Sequence, residues 1–216
     1  MENYLEYYHL PAVHPELCNV SGVDEHRRHQ GKGMYMCFAT DPLTKGGTPI
    51  DPGRLPPFPT LRPRQQEMAY HVAIFPNVFF SVYPDAIFRV MLQPQSAGKT
   101  TEQTSYLTHK GARDDFKGGK AILDEMFAFW DQINTEDIQV VEKVHVGTSA
   151  PTYQGGRFSF RFEEPVHRFQ NMVVDKMISD DETRFRIPEG DTDYPELLAS
   201  MQEPETDTEA PREAHA

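Results

Sequence analysis

Cysteine is almost missing from this chain: only Cys18 and Cys37 occur in 216 residues. Two thiols are too few for a disulfide scaffold, so the fold must be held by a core, and this length provides one. Long apolar runs are missing too. The richest stretch, Val72 to Met91, is interrupted by Pro76, Asn77, Pro84, Asp85 and Arg89, so it reads as strands and not as a bilayer helix. The chain start carries Glu2 and Glu6 without a basic segment, which argues against a signal peptide and makes a cytoplasmic location the expectation. Basic residues are in deficit, 21 Lys and Arg against 33 Asp and Glu. No basic stripe is available to neutralise phosphates, which excludes nucleic acid as a partner, and membrane association is not expected. Residues 179–216 hold 12 acidic and 3 basic side chains of a chain whose formal charge is −12. That stretch reads as an acidic, disordered tail, and residues 1–178 as one domain.

What is present concentrates in the first sixteen residues. Glu6, His9 and His14 sit around Pro11. On an unbroken helix, imidazoles five positions apart would diverge by about 140°. Pro11 removes an N–H and collides with the carbonyl four residues back, so a helix running through Tyr8 is expected to open near Leu10 and let the rings converge. Two imidazoles and one carboxylate form the facial set that holds ferrous iron with positions left open, and Asp137 is the candidate third ligand. Glu136 competes with it. Glu6, three residues before His9, shares its helical face and could accept the other ring N–H. A surface or capping role for the histidines is the plain alternative.

The segment Glu2-Asn-Tyr-Leu-Glu-Tyr-Tyr-His-Leu-Pro-Ala-Val-His14 resembles the mononuclear-iron motif of Rieske non-haem iron oxygenase alpha subunits, the aromatic-ring-hydroxylating dioxygenases and their monooxygenase and demethylase relatives. Asn3, Glu6, His9 and His14 match its Asn, acid and two histidines. Phe129 to Glu142 resembles the family's helix bearing the carboxylate ligand, with Asp137 second in its acidic pair. Gly155-Gly156-Arg157 and residues 164–177 resemble the family's C-terminal end. The resemblance implies iron on His9, His14 and Asp137, with Glu6 linking that iron to the Rieske centre of a neighbouring subunit in a homotrimer. Asn3 would lie near the metal.

The family's Rieske domain precedes this motif. Cys18 is followed by Asn-Val and Cys37 by Phe-Ala, so neither begins a Cys/His pair able to hold a 2Fe-2S cluster. Electrons are therefore expected from another polypeptide carrying the Rieske domain, supplied by an NAD(P)H-dependent reductase. A mis-called start, a split gene and a degenerate fragment all remain open as explanations.

Elsewhere the pattern is of strands and helices. Residues 33–39, 69–75, 78–83, 87–92 and 101–108 alternate or are rich in β-branched and aromatic residues, and the last four suggest an antiparallel meander. Pro42 to Pro63 reads as loop. His26 and His29 read as surface residues, whereas His71, His109, His145 and His167 read as structural. Phe75, Phe79, Phe80, Tyr83 and Phe88 would divide between core and pocket, where aromatic faces could hold a methylated cation. A helical region over 120–146 is expected to break near Asn134-Thr135, with Thr135 capping a second helix whose Ile138, Val141 and Val144 face the core.

The expected fold is therefore α+β, and the resemblance implies a helix-grip (START-like) antiparallel sheet wrapped around helices. The mononuclear iron site would lie between the N-terminal segment and the Asp137 helix. The expected activity is O2-dependent hydroxylation or oxidative demethylation of a small organic substrate. The alternatives are a non-enzymatic or degenerate ligand-binding domain and, more remotely, a zinc hydrolase, although the chain has no His-Glu-x-x-His motif.

Overall fold

A computed structural model describes residues 1–28, 33–41, 43 and 55–178. Among the described residues the five expected stretches form β2 (Tyr35–Thr40), β3 (Ala69–Ile74), β4 (Val78–Val82), β5 (Ala86–Ser96) and β6 (Lys99–Thr108), and a short edge strand not expected from the sequence, β1 (His26–Arg28), precedes them. Each pairs antiparallel with the next, giving one meander in chain order. Alternate residues share a face in a strand. Accordingly Ala69, His71 and Ala73 of β3, Phe79 and Ser81 of β4, and Ala86, Phe88 and Val90 of β5 are all buried. The register aligns Phe38 with His71, His71 with Ser81, and Ser81 with Phe88, so these four side chains form a row across the covered face.

Among the described residues, four α-helices accompany the sheet: α1 (Glu2–Leu5), α2 (Leu10–Val13), α3 (Gly119–Thr148) and α4 (Glu164–Ile178). The arrangement is α+β, as the sequence indicates. Leu5 of α1 and Val166 and Met172 of α4 pack with Met36, Ala73 and Phe79 of the sheet. Each such buried aliphatic side chain contributes about 2 kcal/mol by leaving water. Ile122, Leu123 and Met126 of α3 form a second cluster with Ala86 and Ala112. Gly118 and Gly119 permit that docking. Gly118 has φ +82°, and a Cβ at Gly119 would lie 2.0 Å from the Ala112 carbonyl oxygen. No helix among the described residues is long and apolar enough to cross a membrane.

Several local expectations are corrected. The first helix does not run through Tyr8: α1 stops at Leu5, Glu6 is extended, and Pro11 stands in the first turn of α2. That position suits a residue without an N–H, since first-turn N–H groups have no helical partner. Nor does α3 break at Asn134-Thr135. Thr135 donates its hydroxyl to the Asp131 carbonyl at 2.8 Å and Asn134 bonds Glu102 at 3.0 Å, so both polar side chains are accommodated within one continuous helix. Ile138, Val141 and Val144 are 39%, 45% and 55% exposed instead of facing the core, because this half of α3 extends beyond it. His26 is buried, not on the surface. The readings for His29, most of the 42–63 loop and the 179–216 tail fall outside the described residues.

Arg168 fastens α4 to β2. It is 1% exposed and donates from Nε to the Tyr35 carbonyl at 3.2 Å and from Nη2 to the Gly33 carbonyl at 3.1 Å. Arg168→Met keeps the aliphatic stem and strips both carbonyls of a charged donor. Urea unfolding should show a loss of about 2 kcal/mol. An unchanged midpoint would mean that those carbonyls find other donors.

Candidate metal centre

His9 is the N-cap and His14 the C-cap of the single turn α2. Their residues therefore stand at opposite ends of one short turn, with ring centroids 5.3 Å apart and planes at 81°. Glu6 holds the entry to that turn. Its carboxylate accepts from the backbone N–H of Tyr8 at 2.9 Å and of His9 at 3.3 Å, and it also pairs with His9 Nδ1. The extended conformation at Glu6 thus both ends α1 and orients the His9 ring.

Asp137 comes from the middle of α3. Its Oδ1 lies 2.9 Å from His14 Nε2 and 3.6 Å from His9 Nε2. Among the described residues, His9, His14 and Asp137 form the group whose possible ligand atoms all lie within 4.8 Å of one another. Glu136 does not join it. Its Oε2 accepts from His14 Nδ1 at 2.7 Å, so each imidazole has one ring nitrogen on a carboxylate and the other directed at Asp137. Asn3 lines the adjoining cavity, and no hydrogen bond joins it to the cluster.

This donor set suits a cation. With Nδ1–H donated to Glu6 or Glu136, a neutral imidazole presents an Nε2 lone pair. Both lone pairs face a carboxylate oxygen, an arrangement that only a proton or a metal ion can hold together. Burial would keep His14 neutral, but its hydrogen bonds to Asp137 and Glu136 outweigh that and raise its pKa. Slight burial pushes the Glu136 pKa up, and bonds from Gln132 and His14 more than reverse it, leaving it below the ordinary value. A divalent ion with imidazole and carboxylate preference meets the same electrostatic demand as the proton.

Beside the cluster a cavity of about 940 Å³ runs between the sheet and α3, with His9, His14, Phe79, Phe88 and Trp130 in its wall. Of the aromatic group singled out in the sequence, Phe79 and Phe88 reach this cavity, while Phe75 packs on Phe169 and Tyr83 on Trp130. The exposed stretch of α3 lines the outer part through Ile138, Val141 and Val146. Ser21, His26, His71 and Ser81 also line it. Nothing in their sequence spacing connects them. The available signal was a polar residue at an inward position of strands that otherwise alternate with apolar side chains.

A helix-grip domain with two imidazoles and a carboxylate beside an internal cavity is the class that this fold and geometry define. Residues 1–179 match the model of the ring hydroxylating alpha subunit (catalytic domain) family, and the chain belongs to that family. Choline monooxygenase of Beta vulgaris, a chloroplastic protein, is 28% identical over 101 residues, covering 47% of this chain and 22% of the relative. A quaternary ammonium Rieske monooxygenase studied for carnitine oxidation aligns with TM-score 0.58 and 21% identity over 81% of this chain and 45% of its own. The monooxygenase CntA with an inhibitor bound gives TM-score 0.59 and 20% identity over 81% and 44%. These structures share the fold. The chain spans less than half the length of the relatives it matches.

Proposed function

We propose that this chain is the iron-binding catalytic domain of a Rieske-type oxygenase, with ferrous iron held by His9, His14 and Asp137. The observation that carries this reading is the convergence of both Nε2 atoms on Asp137 Oδ1, at 2.9 and 3.6 Å, inside a chain of this family. Bound iron would supply O2 activation for hydroxylation or oxidative demethylation of a small organic substrate. The residues of the chain do the rest. Glu6 and Glu136 hold a proton at Nδ1 of each imidazole and so keep each Nε2 free to ligate. Phe79, Phe88 and Trp130 give the substrate apolar walls and limit water beside the metal.

Electrons would come from NAD(P)H through a reductase and a 2Fe-2S Rieske centre outside the residues present here. Glu6, in contact with His9, would link the iron to that donor in a homotrimer. Support for an amine as substrate comes from the relatives, which are named for choline and quaternary ammonium oxidation.

Anaerobic titration with ferrous iron tests the proposal. Near one iron per chain is expected, with a half-integer-spin EPR signal on adding nitric oxide, because a facial set leaves positions free. A folded chain that takes up no iron would favour a ligand-binding domain without oxygenase chemistry.

A further inference from the structure

The inner end of the cavity carries a hydrogen-bonded row that crosses four strands. His26 Nδ1 lies 2.8 Å from the Gly22 carbonyl, which can only accept, so this nitrogen bears the proton and Nε2 accepts. Ser21 Oγ and Thr40 Oγ1 stand 3.2 and 3.5 Å from that Nε2 and 2.7 Å from each other. One hydroxyl donates to the ring and the other to its neighbour, so both protons are used. In the pattern that leaves neither ring with an unpaired nitrogen, Thr40 has no proton left for His71, and the 3.4 Å contact is donated by His71 Nε2–H. The remaining ring nitrogen, Nδ1, then accepts from Ser81 at 3.3 Å. Tyr4 places its own hydroxyl proton on the Phe80 carbonyl at 2.6 Å.

Every proton in this row is consumed internally, so Ser21 and Ser81 present only oxygen lone pairs to the cavity. Burial keeps both imidazoles neutral, lowering the His26 pKa to about 4 and the His71 pKa to about 3. Aromatic faces flank the row. Tyr7 stacks on His26 with centroids 4.5 Å apart and Phe38 on His71 at 4.7 Å. Of the lining carboxylates, Glu6 and Asp137 belong to the metal centre, and Glu102 and Glu142 share the cavity with Lys99 and the Met1 ammonium. Lone pairs and ring faces favour a positive group that donates hydrogen bonds.

We propose that this row is the recognition subsite for a protonated amine, whose N–H⁺ donates to Ser21 while its substituents lie against Tyr7 and Phe38. The proposal deepens the oxygenase reading and rests on it for the role of the bound amine as substrate. It separates N–H amines from quaternary ammonium ions, which carry charge without a donor.

Calorimetry on the full, metal-free chain at pH 7.5 tests it with three probes of similar shape. These are N,N-dimethylbenzylammonium, benzyltrimethylammonium and phenylacetate. Trp130, the single tryptophan, lines the cavity and gives a fluorescence readout of the same binding. The N–H ammonium should bind about tenfold tighter than the quaternary ion, as a charged hydrogen bond implies, and phenylacetate should not bind. Ser21→Ala should remove that tenfold preference and leave the quaternary ion unaffected, since Thr40 can still supply His26. Quaternary binding as tight as the N–H form, or binding of phenylacetate, would overturn the proposal. An iron titration on the same preparation separates the two readings. Iron uptake without ammonium preference removes only the subsite, whereas ammonium preference without iron uptake leaves the subsite standing and removes the oxygenase.

Discussion

Asp137→Ala is expected to abolish ferrous-iron binding, with affinity falling by more than about 100-fold in anaerobic titration. Replacing groups that merely hydrogen-bond a ligand typically costs about 10- to 100-fold, and removing a ligand should exceed that range. Asp137 is the carboxylate that both Nε2 atoms face, so its loss removes a ligand and the charge that offsets the metal. His9→Ala and His14→Ala should match it. Glu136→Gln provides the internal comparison. It still accepts from His14 Nδ1 but without charge, and it should retain iron at about 10-fold weaker affinity. If Asp137→Ala bound iron as tightly as the wild type while Glu136→Ala did not, the third ligand would be Glu136 and the assignment made here would be wrong.

Lowering the pH from 7.5 to 5 should destabilise the metal-free chain by about 4 kcal/mol through His26 and His71. Burial is the main cause of both depressed values, and for His71 the charge of His26 adds to it. The rings lie 6.0 Å apart between centroids, so the second protonation would meet the first. The sign follows from proton counting. A folded-state pKa of about 4 or 3 lies below the unfolded value near 6.5, so the unfolded chain binds more protons. The stability is fully present above about pH 6.5 and is lost as pH falls toward the folded values, at about 2 kcal/mol per imidazole by pH 5.

His14 opposes this trend in the metal-free chain, because its raised value favours the folded state below the unfolded pKa. Urea unfolding of wild type and His71→Phe at both pH values isolates the effect. The variant should lose about half of the acid dependence, whatever its stability at pH 7.5. An equal dependence in both proteins would show that these imidazoles are not the cause.

Much of this architecture is legible before folding is considered. Alternation predicts the four central strands because one face of the sheet is buried, and β3 and β4 lie close to the expected boundaries. Asn134-Thr135 does not stop α3, because it carries a propensity penalty of only a few tenths of a kcal/mol per residue, less than the contacts that continue the helix. The exposure of Val141 and Val144 has a related reason. Helical spacing shows that one face is apolar, but whether a core or a cavity lies opposite depends on where the sheet ends.

The sequence alone determined the chemistry available: a proline-marked turn flanked by two imidazoles, an acidic pair on a later helix, no disulfide framework and no membrane-spanning run. It also determined the α+β class, through periodicity. Tertiary structure decided which of those groups meet. Asp137 reaches His14 across 123 positions of chain, and only the docking of α3 against the sheet makes it, and not Glu136, the carboxylate facing both rings. The same holds for the polar row. Ser21, Thr40, His71 and Ser81 are unremarkable in order, but antiparallel register sets Thr40 beside His26 and Ser81 beside His71. Hydrogen bonds form between atoms in space, and strand pairing is what fixes which atoms those are.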